Sequence, residues 1–473
     1  MPSARSNAVV CISAGLLRPK KRDTPLARQN LYMNYGLLGL ATTLARAGHE
    51  PLVIDGVFDP PALVIERLFA DGRLPSRHPV LLSLLSSLAL GWAREAIAEI
   101  RRRDPHATVV IGGRWVTADD GAWVREKLPG ASLIVFGTAE ARIRDIVRPE
   151  RWPHIAGTDL AAEAAAPDTS PHRIAYELMP DFRRYQPSIE VSRGCGMGCS
   201  FCAEAATPLG PLKTPSQVGD ELEHCARLYG ERDLRPYLEA SFFRPDGLWC
   251  VELAQVLRAR GLELPWRTET RVDALSEKHV AALAHAGMRV VDLGLESASP
   301  RQLAAMNKTQ NPMAYLARAS RLLTACRDAG VAVKANILLH AGETRATLAE
   351  THEWLERHRS AIKGVSVGPT IVFRYGARTH AYLASLAELG ACAVDPAALD
   401  RDGYAHLHLS PELPHEAAVE ESLALSRAFM SARDYFDLKS FSYMARGTTW
   451  ERFLGWCDGV DPSGLSFRPP ARV

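Results

Sequence analysis

The chain has 473 residues, enough for two or three domains, and its 47% hydrophobic content supports sizeable cores. Its formal charge of +2 gives no field that would draw nucleic acid or an anionic lipid surface. Nine cysteines at irregular spacing do not read as a disulfide framework. There is no basic start followed by an apolar stretch, and the apolar run 79–90 is too short to span a bilayer. These features point to a reducing cytoplasm, with neither membrane nor nucleic acid as partner.

In chain order, residues 8–12 read as a buried strand, followed by a basic, polar loop over 18–28. An amphipathic helix is predicted over 35–47, stopped by Gly48. Strands follow at 50–54, 80–85, 107–111 and 133–136, with a helix over 91–103 between the third and fourth. Strands alternating with helices of this length predict a Rossmann-like, doubly wound parallel sheet. Ligands of such sheets sit at the carboxyl ends of the strands. The stretch 156–170 is rich in Ala, Asp and Thr and reads as a linker. The alternation restarts at Ile189, with strands at 189–191, 237–243, 265–272, 289–295, 331–339 and 364–373. Six strand–helix units make a partial (β/α)6 barrel, whose chemistry belongs at the strand tops. After residue 382 the pattern gives way to a mostly helical C-terminal region, including one long helix over 416–435 and an aromatic stretch over 436–456. The aromatic stripe reads as core. The expected domains are 1–160, 187–385 and 386–473, with a linker over 161–186.

The chemistry centres on Cys195, Cys199 and Cys202, three thiols at C-x3-C-x2-C spacing on a loop right after a strand. Three thiolates can hold three corners of a 4Fe–4S cluster, which usually takes four, so one iron would stay open. Gly194, Gly196 and Gly198 suit a loop that must wrap a cluster, and Phe201 can cover it. A zinc knuckle would want a fourth Cys or His at close spacing, which the sequence lacks.

The segment from Arg193-Gly194-Cys195 to Phe201-Cys202 resembles the cluster motif of the radical S-adenosylmethionine (radical SAM) enzymes. The resemblance implies a 4Fe–4S cluster, S-adenosylmethionine on its open iron, and an electron donor such as flavodoxin or ferredoxin. Further segments resemble the family at the strand tops. Glu239 and Ser241 end the second barrel strand, where the family contacts the amino end of S-adenosylmethionine. Arg267, Glu269 and Arg271 alternate on the third strand and so point one way, into the lumen. Arg271 would pair with the cofactor's carboxylate, or belong to a structural Arg–Glu network. Glu296 and Ser297 would hold the ribose hydroxyls or the methionine end, and Lys308 lies where the family often keeps a lysine. Gly342-Glu343-Thr344 keeps part of the family's fifth-strand segment. His340 beside it can shuttle a proton or serve as a hydrogen-bonded structural residue, and Arg374 and Arg378 can bind an anionic substrate group.

A second resemblance lies in the front half. Ser83 with its following segment, Gly112-Gly113 and Gly137-x-x-Glu140 are similar to the cobalamin-binding domain of one branch of radical SAM enzymes. Ser83, Gly112 and Gly113 would line the slot for the nucleotide tail. Many such domains place a cobalt-ligating His after the first strand, but this chain reads Ser13-Ala14-Gly15-Leu16-Leu17-Arg18 there. Either cobalamin binds without a protein ligand below cobalt, or the fold remains without the cofactor. The implied activity is methyl transfer to a small molecule in natural-product biosynthesis. The alternatives are cobalamin-independent 3-amino-3-carboxypropyl transfer of the arsinothricin type, a hydrogen-abstraction rearrangement, or an iron–sulfur sensor.

Overall fold

The computed structural model describes residues 5–18, 24–57, 59–148, 150–151, 160–161 and 173–469. Much of the basic loop 18–28 and of the linker 156–170 lies outside them.

The first sheet is built from β1 (Ala8–Ser13), β2 (Glu50–Asp55), β3 (Val80–Ser83), β4 (Val109–Gly112), β5 (Leu133–Phe136) and β6 (Leu160–Ala161). Its order is β2-β1-β3-β4-β5-β6, all parallel. The order reverses between β1 and β3, so a crevice opens there at the carboxyl edge. Every residue of β1 and β3 is buried, as strands covered by helices on both faces must be. The helix Tyr35–Arg46 begins where the Asn34 side chain accepts the Leu37 N–H, and it ends before Gly48. A helix that the hydrophobic pattern did not bring out spans Pro61–Ala70, with Pro61 in its first turn.

The second sheet runs β7 (Ser188–Glu190), β8 (Tyr237–Glu239), β9 (Trp266–Arg271), β10 (Met288–Glu296), β11 (Ala332–Leu339) and β12 (Gly364–Pro369). Each strand pairs in parallel with its neighbour in sequence, the order expected of a βα-barrel segment. Capping boxes open the helices Pro215–Tyr229 (Thr214), Glu277–His285 (Ser276) and Arg345–Arg357 (Thr344).

Two expectations need correction. The sixth barrel strand does not run to residue 373. It stops at Pro369, which has no N–H to continue the ladder. β13 (Ile371–Phe373) then leaves for a three-stranded antiparallel sheet with β14 (Cys392–Ala393) and β15 (Tyr404–His408). The long helix expected over 416–435 is two helices, His415–Phe429 and Ala432–Ser442, because the Ser431 side chain caps the second. The aromatic stretch forms a separate core in which Tyr435, Phe436, Phe453 and Phe467 pack together.

The two sheets meet at their carboxyl edges. Arg114, just after β4, pairs with Glu204, two residues past Cys202. Glu140, after β5, pairs with Arg193 at 2.6 Å, and Arg193 also holds Glu190 at 2.6 Å. Asp55, the last residue of β2, accepts the Tyr185 hydroxyl at 3.0 Å.

Gly113 turns the chain sharply at φ +113°, and a Cβ there would stand 2.3 Å from the Leu84 carbonyl oxygen. Gly113→Ala is therefore expected to cost about 1–3 kcal/mol, read as a lower urea midpoint at unchanged slope. A wild-type midpoint would show that the β4 turn relaxes freely.

Candidate functional site

The thiol loop follows β7. Gly194, Gly196 and Gly198 all take φ between +67° and +75°, and a Cβ on Gly194 would lie 1.9 Å from the Pro208 carbonyl oxygen. The loop thus folds tightly onto the segment 207–209 that follows it, and the Cys195 N–H donates to the Thr207 carbonyl at 2.9 Å. A second brace comes from the segment after β10. The Ser200 N–H donates to Met306 O at 3.0 Å, the Asn307 amide donates to Gly198 O at 2.8 Å, and the Lys308 ammonium lies 5.9 Å from the Phe201 ring centre.

Cys195, Cys199 and Cys202 lie within electrostatic reach of one another, and burial raises the Cys195 and Cys202 thiols above their ordinary range. Among the described residues no three His, Cys, Asp or Glu side chains are gathered tightly enough for a single metal ion. Thiolates on a cubic cluster stand on separate irons, so they lie farther apart than the ligands of one ion. Three thiols on a glycine-shaped loop, with no such gathering of ligands among the described residues, fit a cluster and not a zinc site.

Arg271, at the end of β9, is fixed beside this loop. Its Nε and Nη2 donate to both Asp273 oxygens at 2.8 Å, Nη2 also donates to Lys308 O at 2.7 Å, and Nη1 donates to Cys199 Sγ at 3.1 Å. β10 ends in a bulge between Gly294 and Glu296, and Glu296 takes a left-handed φ of +67°. That turn brings Glu296 onto Lys308 at 3.0 Å across Gly294, where a Cβ would meet the carboxylate at 2.8 Å.

Below this level the lumen holds charges from three neighbouring strands. Register sets Glu269, Asp292 and Lys334 side by side on β9, β10 and β11. Lys334 pairs with Asp292 at 2.8 Å, and Arg267 pairs with the same oxygen. Tyr443 closes the floor: its hydroxyl accepts from Arg267 at 2.7 Å, and its ring stacks on the guanidinium at 4.1 Å. Tyr32 packs on Tyr443 at 5.0 Å between ring centres. It stays 56% accessible, yet surrounding protein pushes its phenol up to about 12. Glu239 also keeps some accessible surface while burial, and then Glu190 beside it, push its carboxyl up to about 7. Burial and Asp292 raise Glu269, which accepts the Tyr237 hydroxyl at 3.3 Å.

The structure brings Cys195, Cys199, Cys202, Arg271, Glu296 and Lys308 together around one loop. Ser241 is exposed just past β8. Gly342, at φ +75°, donates its N–H to Leu409 O at 2.8 Å. Other candidates face elsewhere. Ser297 hydrogen-bonds Thr351 at 3.1 Å on the helix Arg345–Arg357, so it turns toward the outer layer and away from a ribose. Arg374 is committed to Asp120 at 2.7 Å and Asp400 at 2.5 Å, tying the first sheet's domain to the C-terminal region instead of presenting a free cation. His340 is fully buried with Nε2 3.1 Å from the Tyr382 hydroxyl, and burial lowers it to about 4, so it stays neutral near pH 7. That is the hydrogen-bonded structural role.

At the carboxyl edge of the first sheet, the Asn34 amide donates to the hydroxyls of Ser13 (3.2 Å) and Ser83 (3.1 Å). Gly113 is filled by Leu84 and leaves no space for a ligand, whereas the nearest atom to a Cβ on Gly112 is 3.7 Å away. Leu17 and Leu85, in the loops after β1 and β3, are exposed. The three histidines of the first 150 residues, His49, His78 and His106, all precede strands and lie at the amino edge. Sequence reasoning passed over Arg114, Tyr32, Asp292, Lys334 and Tyr443. Asp292 and Lys334 carried a signal, each being a charge inside an apolar strand.

Residues 189–355 match the family model of the radical SAM superfamily. Among curated relatives, an uncharacterized methyltransferase, PH0819, of Pyrococcus horikoshii is 23% identical over 305 residues, covering 58% of this chain and 64% of the relative. A tRNA-2-methylthio-N(6)-dimethylallyladenosine synthase of Ectopseudomonas mendocina is 24% identical over 275 residues, covering 54% and 58%. The chain thus spans about three-fifths of the length of these relatives. Among solved structures, the radical S-adenosylmethionine methyltransferase TsrM of Kitasatospora setae, with cobalamin and a [4Fe–4S] cluster bound, superposes with a TM-score of 0.65. Its identity is 18%, over 91% of this chain and 90% of that one. The cobalamin-dependent radical enzyme OxsB, with aqua-cobalamin and S-adenosylmethionine bound, gives a TM-score of 0.58 at 16% identity over 81% and 55%. At such identities the likeness is one of fold. The family match begins in the strand that carries the thiol loop and runs through the helix after the fifth strand, with all three cysteines inside it. Residues 189–355 thus form a radical SAM domain, set in a chain whose fold is shared with TsrM and OxsB.

Proposed function

We propose that this enzyme is a radical SAM methyltransferase of the cobalamin-binding branch, acting on a small molecule where the carboxyl edges of its two sheets meet. One observation carries the reading. Arg114–Glu204 and Glu140–Arg193 set the carboxyl edge of the first sheet directly against the thiol loop. A ligand of that edge would therefore face a ligand of the thiols. The fold shared with TsrM and OxsB, whose structures hold cobalamin, supports it. We take residues 1–160 as the cobalamin domain, 187–385 as the radical SAM domain and 386–473 as the region that shapes the pocket.

In this reading Cys195, Cys199 and Cys202 hold the cluster. Bound there, the cluster would supply the electron that breaks a C–S bond of S-adenosylmethionine, and cobalamin would supply the methyl group. Glu239 receives the amino end of S-adenosylmethionine, while Glu296 and Lys308 keep the loop's far side in place. Tyr32, Tyr237 and Glu269 line the space left for substrate. The exposed Leu17 and Leu85 suit an apolar macrocycle, and Ser13, Ser83, Asn34 and Gly112 suit its polar tail. No histidine of the first 150 residues lies at that edge, so none of those histidines would ligate cobalt. A flavodoxin or ferredoxin would deliver the electron.

The closed turn at Gly113 favours a second reading, in which the first domain keeps the fold without cobalamin. Such an enzyme would transfer the 3-amino-3-carboxypropyl group or abstract hydrogen.

Anaerobic purification with iron, sulfide and corrinoid determination separates the two. Cluster plus stoichiometric corrinoid supports methyl transfer. Cluster without corrinoid, with methylthioadenosine formed on reduction, moves the assignment to the second reading. Absence of both methylthioadenosine and 5′-deoxyadenosine on reduction retires both. Cys199→Ala is expected to lose the cluster's visible absorbance.

Glu239 also gives a pH signature. Its carboxyl, pushed up to about 7, is protonated in acid and ionises as pH rises. S-adenosylmethionine affinity should therefore climb about tenfold between pH 6 and pH 8, and Glu239→Gln should flatten that part of the profile. An unchanged profile in the variant would remove Glu239 from the cofactor site.

A further inference from the structure

The guanidinium of Arg271 has five N–H groups, and four of them are committed within the protein. Two form a fork onto Asp273 at 2.8 Å each, one reaches Lys308 O at 2.7 Å, and one reaches Cys199 Sγ at 3.1 Å. The residue is 6% exposed, and its guanidinium carbon lies 5.9 Å from the Tyr315 ring centre. The Tyr315 hydroxyl is itself anchored on Gly294 O at 2.8 Å. A side chain locked in this way has one N–H left and no freedom to swing onto an incoming carboxylate. The sequence reading that Arg271 clamps the carboxylate of S-adenosylmethionine does not suit this geometry.

We propose instead that Arg271 is a positioning residue for the cluster, whose N–H to Cys199 Sγ sets the cluster's reduction potential. The inference rests on the cluster assignment made above. Hydrogen bonds to ligating sulfur withdraw charge from it, and they stabilise the reduced cluster more than the oxidised one because the reduced form carries one more electron. Donation from a cation strengthens the effect. Asp273 aims the guanidinium. Lys308 O couples its position to the segment 306–308 that also braces Ser200 and Gly198. Arg271 thereby eases one-electron reduction by the external donor.

The test is an EPR-monitored redox titration of the anaerobically reconstituted full chain, without S-adenosylmethionine, using dithionite as titrant. Arg271→Gln, Arg271→Lys and Asp273→Asn are compared with wild type, and iron and sulfide are counted first. In Arg271→Gln the reduction equilibrium is expected to become about tenfold less favourable, a drop of about 59 mV for a one-electron couple. Arg271→Lys, which keeps the charge but loses the fork and the directed N–H, is expected to move the potential in the same direction by less, and Asp273→Asn, which removes a negative charge, is expected to lower it less than Arg271→Gln or to raise it. Loaded variants whose potentials equal the wild type's, with only weaker S-adenosylmethionine binding, overturn the inference and restore the carboxylate clamp. A wild-type chain that takes up no cluster overturns it together with the proposed function. Should Arg271→Gln fail to load, Arg271→Lys decides: an unchanged potential is fatal, and a lowered one supports the assignment.

Discussion

Two ion pairs across the seam between the sheets organise this molecule. Parallel sheets bind their ligands at one edge, so two such sheets can share a reaction only if those edges meet. Arg114–Glu204 and Glu140–Arg193 make them meet, and both involve residues next to the functional loops. Arg374, bridging Asp120 and Asp400, extends the same seam to the C-terminal region. Trp123 adds its indole N–H to the Asp400 carbonyl at 2.9 Å. Exposed pairs of this kind contribute little stability singly, but several together fix an orientation.

The thiol loop is defined as much by what braces it as by its own residues. Its glycines permit the path, yet the path is held by Thr207 on one side and by Met306 and Asn307 on the other. Asn307 takes a left-handed φ of +47°, which asparagine tolerates better than most residues. Lys308 and Arg271 then set two cations beside the loop, with Glu296 and Asp273 as their counter-charges. The result is a charge-balanced wall behind the thiol loop.

Much of this was legible in the sequence, for reasons that can be named. Strand and helix alternation is a local pattern, and both sheets follow it closely, as β5 at 133–136 and the helix Arg345–Arg357 illustrate. The thiol loop was legible because its chemistry is local too, with three donors in eight residues. Breaks set by a single backbone or capping group were harder: Pro369 ends the sixth strand, and Ser431 splits a helix that periodicity alone would carry through. Roles set by distant partners were not legible. Nothing near Arg374 in the sequence announces Asp120, more than two hundred residues earlier, and nothing near Ser297 announces Thr351. Arg267 was read correctly as lumen-facing, but its stacking partner Tyr443 comes from the far end of the chain.

That last contact bears on the order in which the protein can be completed during synthesis. The ionic floor made by Arg267, Asp292 and Lys334 comes from strands that leave the ribosome long before residue 443 does. Until Tyr443 arrives, the lumen stands open to water from below, and Leu31 lacks the carbonyl of Tyr443 to which its N–H donates at 2.7 Å. From the emergence of β11 until residue 443 follows, the nascent chain therefore holds these barrel strands without their floor. That floor is complete only when the late-emerging tail is drawn in as a stopper.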